Sequence, residues 1–139
     1  MSKVPQAGHP ERQTALADRR AASPEASAQL ARRIASIVDS KQGAEIVALD
    51  VRELVGYTDF LVICTARNER QAKAIADEVY ARLKKEDELL PERVEGEGEA
   101  RWVLMDYLDC VLHVFVPEMR DRYRLENLWG EAAELDLSS

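Results

Sequence analysis

Apolar residues recur along this chain with two different periods, and the changes of period mark its elements. Leu30, Ile34, Ile37 and Val38 share one face of a 3.6-residue repeat, which predicts a helix running on from Ser23-Pro24-Glu25. There serine can cap the start, proline suits the first turn, and glutamate complements the helix dipole. Gly43 is placed to end this helix. Ile46–Val51 reads as a short strand, and Arg52–Tyr57 as a connector around Gly56. Asp59–Thr65 follows, and its unbroken run Phe60-Leu61-Val62-Ile63-Cys64 suits a strand buried on both faces at the centre of a sheet. Asn68 and Gln71 form a capping pair ahead of a second helix, whose apolar stripe is Ala72, Ile75, Ala76, Val79 and Leu83. Glu86–Glu99, broken by Pro91, Gly96 and Gly98, predicts a loop with at most a short strand near Arg93–Glu95. The pattern closes with strands at Arg101–Tyr107 and Cys110–Val116, then a helix from Pro117 to about Ala133 burying Leu125, Leu128, Trp129 and Ala132.

This order predicts one α/β domain. A strand, a helix and a further strand favour a parallel crossover, whereas the last two strands form an antiparallel hairpin. The sheet is therefore expected to be mixed, mostly five-stranded, and packed with helices. Residues 1–23 mix Pro, Gly, His, Gln and Ser with few large apolar side chains and read as a mobile extension, leaving 24–139 as the domain.

Composition narrows the function classes. Hydrophobic residues make up 46% of the 139, which argues against global disorder. No apolar run approaches the ~20 residues of a membrane span, and the polar N-terminus lacks a signal peptide's hydrophobic stretch, so a cytoplasmic protein is expected. Cys64 and Cys110 both lie in apolar strands and read as buried thiols rather than a disulfide. The net charge is −7, yet Lys3, Arg12, Arg19 and Arg20 outnumber Glu11 and Asp18 in the first 24 residues, so the acidic excess lies in the domain. Nonspecific nucleic-acid binding needs a positive surface, and a basic protein partner fits this charge better.

A two-residue turn at Leu108-Asp109 would set Trp102 opposite Phe115, Leu104 opposite His113 and Asp106 opposite Val111. Trp102, Leu104, Asp106, Val111, His113 and Phe115 then share one face, a candidate recognition surface. Asp106 and His113 are diagonal neighbours there, so an internal hydrogen bond between them is the structural alternative. The opposite face, with Val103, Met105, Tyr107, Cys110, Leu112, Val114 and Val116, calls for a helix over it. Catalytic readings find less support. No serine sits in a nucleophile elbow, and Cys110 and His113 point to opposite faces. Asp50, Asp106 and Asp109 near strand ends could suggest metal-dependent nucleotidyl transfer, but no phosphate-cradling loop accompanies them. No catalytic, cofactor-binding or metal-binding residue is assigned.

The segments Ala48–Val51, Thr58–Thr65, Gln71–Asp77, Val94–Glu97 and Trp102–Trp129 resemble, in order and spacing, the ribosomal silencing factor family, also called RsfS or Iojap-like. The resemblance spans about Gln29 to Gly130. It implies a nucleotidyltransferase-like α/β topology without that activity. It also implies binding to the large ribosomal subunit through protein L fourteen, at the face where the small subunit docks. Occupancy of that face would block subunit joining and lower translation under nutrient limitation, with little direct nucleic-acid contact. A homodimer in the free state and a role in large-subunit maturation are further implications. Carried over by position, the partner-binding candidates are Trp102, Asp106 and Tyr107, preceded by Glu95 and Glu97. This chain departs from the family at Ala66 and at Leu108, where glycine is usual. Leucine at a left-handed turn position is costly.

Overall fold

A computed structural model describes residues 25–124, 127, 130 and 132–137. Its elements are α1 (Ala26–Ser40), β1 (Ala44–Asp50), β2 (Phe60–Thr65), α2 (Glu69–Asp87), β3 (Arg93–Glu95), β4 (Trp102–Asp106), β5 (Cys110–Phe115), α3 (Pro117–Arg122) and β6 (Ala133–Glu134). The extension 1–23, the Ser23-Pro24 helix start, and Leu125, Leu128 and Trp129 lie outside the described residues.

The sheet has six strands in the order β3-β4-β5-β2-β1-β6, one more than expected. The extra strand is β6, where Ala133 and Glu134 pair with Asp50 and Leu49, in place of the helix expected to run to Ala133. That helix, α3, ends at Arg122. β2 and β5 are parallel and every other pair is antiparallel, so the sheet is mixed. As its unbroken apolar run predicts, β2 lies inside the sheet with all six residues buried.

Alternation along the strands sends Phe60, Val62, Cys64, Val103, Met105, Tyr107, Cys110, Leu112 and Val114 to one face, where α1 and α2 cover them. Each fully buried aliphatic side chain here stabilises the fold by roughly 1.5–3 kcal/mol. Cys64 and Cys110 are free thiols within this layer. Burial raises the thiol pKa of Cys64 to about 12, with nearby Arg120 opposing the shift, and also raises that of Cys110.

The turn between α1 and β1 differs from the expectation for Gly43. The residue in the left-handed conformation is Gln42 (φ 65°), with Gln42 N donating to Asp39 O and Gly43 N to Val38 O, a Schellman closure. Gly43 matters through space instead, since a Cβ there would lie 2.4 Å from Val38 Cγ1. Asn68 caps α2 as expected, its Oδ1 accepting from Gln71 N at 2.9 Å. Gln71 Oε1 accepts from Arg67 N rather than from Asn68 N, and its Nε2 donates to the carbonyls of Lys41 and Gln42, tying the start of α2 to the end of α1. No helix among the described residues is long and apolar enough to cross a membrane.

Candidate docking site

The β4–β5 hairpin adopts the expected register, with Trp102 opposite Phe115, Leu104 opposite His113 and Asp106 opposite Val111. Leu108 takes the strain of the turn. Its φ is +74°, and Asp109 N donates to Tyr107 O, the geometry of a rare positive-φ γ-turn. Two features hold it there. Leu108 N donates to Asp106 Oδ1 at 2.9 Å, and the leucine side chain is buried.

The face expected to be a recognition surface is covered. Trp102, Leu104, Val111 and Phe115 join Leu49, Val51, Leu61 and Ile63 in a second apolar layer, against which Met119, Tyr123 and Ala132 pack. Trp102 is 5% exposed and Asp106 0%, so the exposure expected of their face is corrected, whereas Tyr107, 1% exposed, lies on the helix-covered face where alternation puts it. The Trp102 ring lies 4.7 Å from Phe115 and 4.9 Å from Tyr123, centroid to centroid. Its Nε1 donates to His113 Nδ1 at 3.0 Å. His113 thus bonds one diagonal neighbour, Trp102, while Asp106 on the other diagonal accepts from Leu108 N and meets Arg93 Nε at 3.5 Å. Because Nδ1 accepts, the imidazole proton sits on Nε2, which is buried without a partner among the described residues. Burial lowers the His113 pKa to about 3, with Asp106 opposing the shift, so the ring is neutral.

The edge of the sheet beside this hairpin presents acidic side chains to solvent. Glu95, Glu97 and Glu99 are exposed at and after β3, the edge strand. Arg93 bridges Glu95 (3.0 Å) to buried Asp106, linking the surface to the strained turn. Between the acids, Gly96 has φ +81°, and a Cβ there would lie 2.0 Å from Trp102 O, so only glycine lets the loop lie on β4. Gly96, Glu99, Arg101, Trp102 and Met119 line a shallow pocket. The sequence candidates therefore divide into exposed Glu95 and Glu97, and buried Trp102, Asp106 and Tyr107 beneath them.

Other buried polar groups escaped the sequence reading. Arg120, 7% exposed, donates to Thr65 Oγ1 (2.7 Å) and Glu45 O (3.0 Å), where β1 carries a bulge and Glu45 has φ 50°. Ser27 donates to buried Asp59. No local spacing signals either contact. Of the aspartates considered for metal binding, Asp50 holds Arg52 through both carboxylate oxygens and Asp106 holds the turn. Among the described residues, no three His, Cys, Asp or Glu side chains are grouped to hold a metal ion.

Fold and site together define a mixed α/β domain with an acidic edge beside a buried aromatic cluster. The chain belongs to the ribosomal silencing factor family, whose model, described as "Ribosomal silencing factor during starvation", matches residues 24–139. It is 40% identical over 100 residues to the ribosomal silencing factor RsfS of Halalkalibacterium halodurans, covering 72% of this chain and 85% of that protein. A crystal structure of a Chromobacterium violaceum protein superposes with a TM-score of 0.69 at 31% identity, covering 80% of this chain and 92% of that one. A more distant mouse relative, named "Mitochondrial assembly of ribosomal large subunit protein 1", is 28% identical over 100 residues, which span 69% of this chain and 43% of that protein.

Proposed function

We propose that this chain is a cytoplasmic translational repressor that binds the large ribosomal subunit through protein L fourteen and sterically blocks joining of the small subunit under nutrient limitation. Residues 24–139 act as the docking domain, which forms a homodimer when free. The observation that carries the reading is the exposed Glu95–Glu99 edge in a chain of this family. Carboxylates at such a rim steer a basic partner and set the register of docking. Trp102 and Met119, which line the pocket beside Gly96, offer the apolar component. Asp106 and Tyr107 act from below, Asp106 by fixing the turn and Arg93, Tyr107 by packing under the helices. Exclusion needs no bond-making step.

Cosedimentation with separated subunits tests this reading. The protein should travel with large subunits and not with small ones. Reversing two rim charges, Glu95→Lys with Glu97→Lys, should weaken binding about tenfold, or about 1.4 kcal/mol, at low salt. Unchanged binding of that variant would remove the acidic edge from the interface. The mouse relative's name also favours a contribution to large-subunit assembly, which the same surface could serve.

A further inference from the structure

Arg67 and Arg70 stand apart from the other arginines of this acidic chain. Every other described arginine side chain reaches a carboxylate, a carbonyl or a hydroxyl, as Arg33 reaches Glu86 and Arg101 reaches Glu118. Arg67 and Arg70 are exposed, and their guanidinium groups make no hydrogen bond or ion pair among the described residues. They line a concavity with Lys41 at the junction of α1 and α2, and among the described residues no carboxylate contributes to its walls. Lys73 is exposed one turn beyond Arg70.

We propose that this basic corner binds the phosphate backbone of RNA. Arg67 stands just before α2, Arg70 and Lys73 follow on it roughly 4.5 Å apart along its axis, and Lys41 widens the row at the end of α1, an extent that suits a polyanion better than a single phosphate. Glu69 and Asp77 on α2 and Asp39 on α1 are exposed beside this row, but among the described residues none of them lines the concavity. Glu86 and Asp87 are at the other end of α2, roughly 25 Å away. Glu95 and Glu97 lie three strands across the sheet from β2, roughly 14 Å. Both separations exceed the Debye length of about 10 Å at 0.1 M salt. Thr65, Phe115 and Trp102 align across β2, β5 and β4, so the basic corner and the acidic loop share one end of the molecule. A ribosomal surface offers basic protein beside RNA, and this end has a counterpart for each. The inference rests on the ribosome reading for the partner's origin, but its chemistry is testable without ribosomes.

The test is fluorescence anisotropy of the full chain with a labelled RNA duplex of about 16 base pairs at about 50 mM salt. Binding is expected, with log affinity falling against log salt at a slope of roughly −2 to −4. Arg67→Glu with Arg70→Glu should weaken it at least tenfold, while Glu95→Lys with Glu97→Lys retains it. Should circular dichroism show the reversal variant unfolded, Arg67→Gln with Arg70→Gln is read instead and should also weaken binding. No binding by the unaltered chain, equal affinity of the arginine variant, or capture by phosphatidylserine vesicles in place of RNA would overturn the proposal. Loss of the acidic-edge contact would show instead in cosedimentation of the glutamate variant, so the two proposals fail separately.

Discussion

Trp102 and His113 show how one hydrogen bond fixes a protonation state. The indole needs an acceptor and the imidazole supplies Nδ1, which it can do only when that nitrogen carries no proton. The folded pKa of about 3 lies below the ordinary 6.5, so between these values the unfolded chain holds a proton that the native one does not. Stability therefore falls as pH drops from 6.5 towards 3, by about 1.4 kcal/mol per pH unit. Urea titrations at pH 7 and 5 should show a loss of about 2 kcal/mol from this group, and His113→Gln should flatten that loss. Equal losses in both proteins would mean that the ring is not held neutral. Trp102→Ala should cost about 3–5 kcal/mol in the same titration, as removal of a buried aromatic does. A native-like unfolding midpoint for that variant would place the indole outside the core. The sequence face pattern groups Trp102 with His113 but offers Asp106 as the hydrogen-bond partner of His113, where the structure has Trp102. Asp106 satisfies Leu108 N and Arg93, so the indole becomes its partner.

Hairpin and helix ends show which elements pattern alone can place. A two-residue turn and strand alternation were enough to specify the β4–β5 register, even though Leu108 argued against it. The turn persists because Asp106 Oδ1 and the burial of the leucine side chain offset a left-handed penalty of roughly 1–2 kcal/mol. Leu108→Gly removes that penalty along with the side chain, whereas Leu61→Gly in β2 only loses packing. Leu108→Gly should therefore cost at least ~1–2 kcal/mol less than Leu61→Gly in chemical unfolding. Equal costs would show the turn to be unstrained. Less legible was which face of the hairpin would be open. Its cover comes from Met119 and Tyr123 around a helix of one and a half turns, too short to show a periodic apolar stripe. β6 was missed for a related reason, since two residues cannot display alternation.

Across the whole molecule, opposite charges occupy separate parts of one end of the sheet, with a strained hairpin and an aromatic layer holding the acidic part in place. Composition revealed only the net −7, which masks the basic corner because a sum carries no positions. The acidic edge was legible because its glutamates are close in sequence, whereas Lys41 and Arg67 are brought together only by the packing of α1 on α2. Steric exclusion by this end of the domain is most directly measured by subunit joining in a sucrose gradient. Purified large subunits would be incubated with rising amounts of the protein before small subunits are added. Joined particles should fall in proportion to the large subunits occupied, and should recover when Glu95→Lys with Glu97→Lys is used instead. Undiminished joining at full occupancy of the large subunit would contradict the blocking mechanism.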